Sequence, residues 1–380
     1  MPNIYDHFGV IPGINARGNQ TLLGGSTPPN EVQKAMEEAT NSGYVVFEDL
    51  LRKTGEIIAN ILGTEQAFVT SGAAAAIALS SAAALTKDDR TKLGSIPDTS
   101  SFDKNEFVFQ KGHDYSYKRC FTIPGAKLVE VGGADSCTIS EMERSIGPKT
   151  AGIAYFESGR WGSEWVSLDE AKKLADDYNI PLIVDSAGQI FPLDRFTRIA
   201  QTGDIVSFGA KYFGSPHSTG ICTGKKIWVE AAFQQNFIGF ETAGQTGLER
   251  PFGRGFKTDR GEVVGATIAL ERWFSINHEE RLEMEEQKRT LIRERLSNID
   301  GVNISIPREP LIGPNIVVNV EIDKSKNGKS VYEVIAELEN GNPPIWARTN
   351  DNGKSIGLGV QVLSDEEVNI VADRLQEILK

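Results

Sequence analysis

Between residues 66 and 224 the chain alternates short apolar runs with helix-like stretches. "QAFVTSG", "EFVFQ", "KLVEVG", "GIAYFES", "IPLIVDSAG" and "DIVSFGAK" read as strands. Several are too uniformly apolar to be half-exposed, so both faces of their sheet must be covered. "AAAAIALSSAAAL" reads as a close-packed helix of small residues. "SLDEAKKLADDYN" reads as an amphipathic helix opened by Ser167. Strands separated by helices predict an α/β domain built on a mostly parallel sheet.

The flanks have a different character. Residues 1–30 are broken by Gly13, Gly18, Gly24, Gly25, Pro28 and Pro29, and read as an arm. "FEDLLRKTGEIIANILG" predicts a helix with Leu50, Leu51, Ile57, Ile58 and Ile61 on one face and Gly63 as its C-cap. "EVVGATIALERWFSINHEERLEMEEQKRTLIRERLSNI" reads as one long helix or two abutting ones. It leads into "VNISIP", "NIVVNVEID", the helix "SVYEVIAELEN", then "PPIWART", "KSIGLGV" and a closing helix, an order that suits a smaller α+β lobe. The expected division is an arm at 1–45, a large domain at 46–262, and a linking helix with a small C-terminal domain at 263–380.

The 380 residues carry a net charge of −12, with an isoelectric point near 5.0. An acidic chain argues against nucleic acid as the main partner, which needs clustered Lys and Arg. No apolar stretch reaches the roughly 20 residues that span a bilayer, and "MPNIYDHFGVIPGINARG" lacks the pattern of a secretion signal. Cys120, Cys137 and Cys222 have no metal-ligand spacing and no disulfide pattern, so no metal is expected and a reducing cytosol fits best.

One lysine poses a chemical question. Lys211 ends the apolar run "DIVSFGAK", where a charged ammonium is costly. Asp185 ends the strand "PLIVD", 26 residues earlier. In open α/β sheets ligands sit beyond the carboxyl ends of the strands, so the acid and the lysine can converge there. Ser71 and Gly72 lie where a strand turns into a helix, and the residues that follow are small. Such a helix start offers backbone N–H groups to a phosphate. A phosphate cradle, a carboxylate and a poorly hydrated lysine together fit pyridoxal 5′-phosphate (PLP), with Lys211 as the Schiff-base amine and Asp185 keeping the pyridine nitrogen protonated. "GICTGKK" is not a phosphate-binding P-loop. It has three residues between its glycines instead of four, and Lys226 stands where Ser or Thr is needed.

The stretches "GVIPGINARGNQTLLGGS", "LGTEQAFVTSGAAAAIAL", "FVFQKGHDYSY", "PLIVDSAGQ", "FGAKYFGSPHSTGICTGKK", "GRGFKTDRGEVVGA" and "PPIWART" span almost the whole chain. Through them the chain resembles the fold-type-I PLP enzymes, within the group related to selenocysteine synthase and D-glucosaminate-6-phosphate ammonia-lyase. The resemblance implies an aspartate-aminotransferase-like fold, PLP as cofactor, and a homodimer or larger homo-oligomer. It gives Lys211 the Schiff-base role and Asp185 the pyridine partner, and stacks His113 on the cofactor ring. Ser71, Gly72 and Ala73 match the phosphate cup. Arg348 matches a holder of the substrate carboxylate. Arg254, Lys257 and Arg260 match a basic set for a phosphate, and Arg17 is a further candidate for the same pocket. Ser207 departs from the pattern. Relatives place a Ser three residues before the lysine, where this chain has Phe208, so alternation would turn Ser207 the other way. Selenocysteine synthases carry an added N-terminal tRNA-binding portion that this acidic chain does not match.

The expected function is a lyase acting at Cα and Cβ of an amino acid or amino sugar acid, releasing ammonia and a 2-keto acid. β-Replacement and racemisation are the alternatives on the same chemistry. A non-catalytic PLP-binding relative is the alternative of another class. It is disfavoured because Lys211 and Arg348 are both present.

Overall fold

The computed structural model describes residues 3–25, 27–113, 115–159, 161–239, 251–306, 317–350 and 353–380. The chain forms two compact units. One comprises residues 28–274; the other joins residues 1–27 to 275–380.

The larger unit is built on a seven-stranded sheet. In chain order its strands are β2 (Gln66–Thr70), β3 (Glu106–Gln110), β4 (Lys127–Val131), β5 (Thr150–Phe156), β6 (Leu182–Asp185), β7 (Ile205–Gly209) and β8 (Gly220–Gly224); β1 belongs to the other unit. Their order across the sheet is β2-β8-β7-β6-β5-β3-β4. Only β8 runs against its neighbours; the other six are mutually parallel, so their carboxyl ends share one edge. Both faces are covered, as the apolar runs require. The helix Ala73–Thr86 is buried from Ala75 to its end and packs on β6, β7 and β8. On the opposite face Phe208 of β7 meets Phe196 of the helix Leu193–Thr202, with ring centroids 4.6 Å apart.

Local signals mostly act as read. Gly63 caps the helix Phe47–Leu62 in the left-handed region at φ 69°, and Ser167 with Glu170 forms a capping box. The buried face of Phe47–Leu62 is Leu51, Thr54, Gly55, Ile58, Ala59 and Leu62. Ile57 is 39% exposed, contrary to the expected stripe.

The second unit contains an antiparallel sheet ordered β12-β13-β10-β9, formed by β9 (Val302–Ser305), β10 (Val317–Ile322), β12 (Arg348–Asn350) and β13 (Ser355–Gly359). The helices His278–Leu296, Val331–Glu339 and Asp365–Leu379 contribute Ile292, Val334, Val371 and Leu375 to its core. The boundaries differ from those expected at 45 and 262. The arm belongs to this unit because β1 (Ile14–Asn15) pairs in parallel with β11 (Ile345–Trp346). The long helical stretch is two helices, Arg260–Ser275 and His278–Leu296. The second starts afresh because the Asn277 side chain accepts from the N–H groups of Glu279 and Glu280. The Trp273 indole N–H donates to Ile190 O at 2.9 Å and ties the first helix to the large unit.

Candidate active site

The site is built where the parallel strands end. β6 and β7 are neighbours, with Asp185 paired to Ser207 in register. Asp185 is the last residue of β6 and is 3% exposed. Its carboxylate accepts from the Tyr115 hydroxyl and from the Ala187 backbone N–H at 3.0 Å. Burial pushes its pKa up to about 6, against the opposing pull of those two hydrogen bonds. The carboxyl group is costly to ionise here unless a cationic N–H faces it.

Lys211 lies two residues past the end of the strand that the sequence closes on it. β7 ends at Gly209, and Lys211 sits in the following 3-10 turn, Ala210–Phe213. The strand stops because the Ala210 N–H turns to Thr219 O, across the loop that returns into β8. Lys211 is half-buried, and burial pulls its pKa below the ordinary lysine value. Its Nζ lies 5.3 Å from the centre of the Tyr212 ring. A nitrogen of lowered proton affinity is what a lysine nucleophile needs.

His113 follows β3 in a 3-10 turn and is 3% exposed. Its ring stacks on Trp161 at 3.9 Å between centroids and 1° between planes. The Trp161 indole N–H donates to Phe156 O at 2.7 Å. Both His113 ring nitrogens are buried without a hydrogen-bond partner among the described residues. Burial lowers its pKa to about 4, so the imidazole is neutral. It is an uncharged aromatic ring rather than a base, with Trp161 over one of its faces.

β2 hands over to the helix Ala73–Thr86 through Ser71 and Gly72. Gly72 has φ 95°, a left-handed conformation that favours glycine, and this N-cap offers no side-chain hydrogen bond to the helix start. Open space surrounds it: a Cβ built there meets nothing within 4 Å. The first-turn N–H groups and the positive end of this 14-residue helix thus lack a capping side chain. Gly220 of β8 keeps the turn against the sheet edge, since a Cβ there would lie 2.4 Å from Gly72 C and 2.7 Å from Ala73 N.

These features fit PLP by the donor chemistry present. There is an open helix N-terminus for its phosphate, a buried acid for its ring nitrogen, a neutral aromatic ring for its face and a poorly hydrated amine for its aldehyde. Ser207 is fully buried, and its hydroxyl has no partner among the described residues. Its cross-strand partner Cys222 touches Ser80 of the helix Ala73–Thr86, so Ser207 faces that helix, opposite to Phe208.

The arginines fall into two groups. Arg17 and Arg348 belong to the smaller unit. The Arg17 guanidinium donates to Gln20 Oε1 at 2.8 Å and to Ala347 O at 3.1 Å, which brings it beside Arg348. Arg348 opens β12, and its Nε is buried. Arg254, Lys257 and Arg260 do not form one helical face, because the helix begins only at Arg260. The Arg260 guanidinium is held by the carbonyls of Gly43 and Thr40 and lies over the Tyr44 ring at 4.9 Å. Lys257 is exposed.

Sequence reading missed Tyr115 and Trp161. Tyr115 stands two residues after His113 in "GHDYSY", and Trp161 and Trp165 sit close together in "GRWGSEW"; clustered aromatics at strand ends were the available signal.

No protein-family model matches the chain. It is 30% identical over 384 residues to D-glucosaminate-6-phosphate ammonia lyase of Salmonella typhimurium, covering 99% of this chain and 98% of that protein. It is 28% identical over 386 residues to 5′-C-glycyluridine monooxygenase-decarboxylase of a Streptomyces species, covering 99% and 92%. A shorter match, 28% over 146 residues and 33% of this chain, is to L-seryl-tRNA(Sec) selenium transferase of Haemophilus influenzae. Among solved structures, a D-glucosaminate-6-phosphate ammonia-lyase superposes with a TM-score of 0.81 at 28% identity, covering 100% of this chain and 98% of that one. A NifS-like protein superposes at 0.60 with 17% identity, a likeness of fold. The expected aspartate-aminotransferase-like architecture is therefore the observed one, and the chain belongs to the family of fold-type-I, PLP-dependent enzymes that includes D-glucosaminate-6-phosphate ammonia lyase.

Proposed function

We propose that the protein is a PLP-dependent lyase that releases ammonia and a 2-keto acid from a 2-amino-3-hydroxy acid, with a phosphorylated amino sugar acid as the leading substrate class. The observation that carries this reading is the placement of Asp185 and Lys211 at the carboxyl ends of adjacent parallel strands, each buried enough to disfavour its own charge.

In this reading PLP, when bound, supplies an electron sink that makes the substrate's Cα proton removable. The backbone N–H groups of Ser71, Gly72 and Ala73 hold its phosphate, with Ser207 as a further candidate contact. Asp185, oriented by Tyr115 and Ala187, holds a proton on the ring nitrogen. His113 packs against the ring. Lys211 anchors the cofactor and moves the Cα proton. Arg348 and Arg17 orient the substrate's carboxylate, and Arg254 and Lys257 serve its phosphate. A homodimer or larger assembly is part of the proposal; exposed Ile4, Phe8 and Ile11 on the arm, and Tyr44, Val45 and Val46, support it. So is a cytoplasmic location, supported by three buried, unpaired cysteines. No described helix is long and apolar enough to cross a membrane.

The test is to titrate the purified protein with PLP, then offer 2-amino-3-hydroxy acids with and without a distal phosphate. The expected results are a visible absorption band that Lys211→Ala abolishes, and paired release of ammonia and keto acid. A protein that takes up no PLP would overturn the reading. Uptake with product racemised or substituted at Cβ would overturn the lyase assignment alone.

A further inference from the structure

The elimination proposed above needs two proton movements, and Lys211 accounts for one. Hydroxide is a poor leaving group, so the Cβ oxygen must gain a proton as its bond breaks. Asp185 is already committed to Tyr115, Ala187 and the ring nitrogen. Cys120 near it has its proton held more tightly by burial.

The loop between β7 and β8 carries an unused group. Its two legs are bonded to Ala210, the residue before Lys211: the Ser215 N–H donates to Ala210 O at 3.3 Å and the Ala210 N–H to Thr219 O at 3.0 Å. The Ser215 and Thr219 hydroxyls bond each other at 2.6 Å, and Thr219 also donates to Pro216 O at 2.6 Å. Ser215, Pro216 and Thr219 are buried, and His217 stands at the turn between them, half-buried. His217 Nδ1 is buried with no hydrogen-bond partner among the described residues. The surrounding loop is held by other bonds, so the imidazole is not needed to close it. Its proton affinity is lowered by burial and, next, by the charge of Lys211. Both side chains belong to the one loop that the two Ala210 backbone bonds close. Glu262, which takes the hydroxyl of the neighbouring Ser218, is the nearby acid.

We infer that His217 is the general acid that protonates the departing Cβ oxygen, working in tandem with Lys211; this rests on the elimination reading. Lys211 takes the Cα proton, and the electron pair left behind forms the Cα–Cβ double bond. The Cβ–O bond breaks with its pair on oxygen, His217 supplies the proton, and water leaves. The enamine then tautomerises and hydrolyses to ammonia and a 2-keto acid, and His217 regains its proton from solvent. The ammonium created on Lys211 repels the proton on His217 at the moment the leaving oxygen needs it.

The experiment uses the holoenzyme in deuterium oxide with D-glucosaminate 6-phosphate, comparing wild type, His217→Gln and His217→Ala. Ammonia release is measured beside deuterium entry at Cα of the remaining substrate. Both variants should keep the cofactor absorption band and Cα exchange while release falls by about 100-fold or more, and added imidazole should restore release to His217→Ala. Independently, NMR titration of His217 in cofactor-free protein should move to higher pH in Lys211→Met, because a neighbouring positive charge is gone. Unchanged release, an equal fall of exchange and release, or an unmoved titration would overturn the inference. Wild type that exchanges Cα but releases no ammonia would overturn it together with the lyase reading, which separates the two failures.

Discussion

Asp185→Asn should make the cofactor-free protein more stable at neutral pH. Asp185 is almost wholly buried, and its carboxyl group is harder to ionise in the fold than in the unfolded chain. Its pKa rises from an ordinary 3.8 to about 6. For a raised pKa the native state binds the extra proton, so the group's contribution to stability is fully present below pH 3.8 and is lost as pH rises through about 6. At about 1.4 kcal/mol per pKa unit, the loss at pH 7 and above is about 3 kcal/mol. Asparagine keeps the acceptor for the Ala187 N–H, and the Tyr115 hydroxyl can turn to accept from the new amide. The variant should therefore match wild type near pH 4, gain between pH 4 and 6, and hold an advantage of up to about 3 kcal/mol above that. Urea denaturation of both cofactor-free proteins at a series of pH values gives the difference directly, and contributions from other groups cancel. The same variant should bind PLP more weakly, since the ring nitrogen loses its counter-charge. A difference that is flat with pH, or an asparagine variant less stable at pH 8, would refute the assignment of Asp185 as a buried, uncompensated carboxylate.

Tyr115→Phe removes a hydrogen bond that favours the Asp185 carboxylate, so the acid's pKa should rise by about one further unit; a pH series of PLP affinity should show its lower limb displaced upward, and an unmoved limb would mean the phenol does not act on the acid. Gly220→Ala should push the Gly72–Ala73 backbone off the sheet edge, weakening PLP binding by about tenfold or more and costing about 1–3 kcal/mol, read by cofactor titration and thermal melting; unimpaired affinity would dissociate that turn from the phosphate. Arg348→Ala should raise KM for carboxylate substrates by about 100-fold with the cofactor band intact, whereas loss of the band would show that Arg348 serves PLP instead.

The parts legible in the sequence are those governed by the sheet. Asp185 and Lys211 could be brought together on paper because an apolar strand can end only at the sheet edge, and parallel strands share that edge. The open helix start after Ser71 and Gly72 followed from the same logic, a strand passing into a helix of small residues. What resisted reading comes from segments whose course depends on tertiary contacts. Tyr115 reaches Asp185 from a loop 70 residues away, and Trp161 reaches His113 from beyond β5; neither follows from spacing. The arm looked separate because glycine and proline break it, yet its Ile14 and Asn15 become a strand by pairing with residues 345 and 346. Arg254, Lys257 and Arg260 could be matched only as a basic set, because where the helix begins, at Arg260, is not written in their spacing.

The antiparallel β8 explains why the site forms where it does. Running back between β2 and β7, it lets the loop 214–219 bond back to Ala210, beside Lys211, and brings Gly220 against the Gly72–Ala73 turn. Gly209 and Gly220 face each other in register at this edge, and Thr70 pairs with Gly220 from the other side. One residue without a side chain thus holds three backbone segments together: the end of β2, the start of the helix Ala73–Thr86 and the end of β7. The lysine, the Gly72–Ala73 turn and His217 are consequently parts of a single backbone arrangement. A substitution at Gly220 should therefore disturb all three together, while Asp185 and His113, set by β6 and β3 on the far side of β7, keep their geometry.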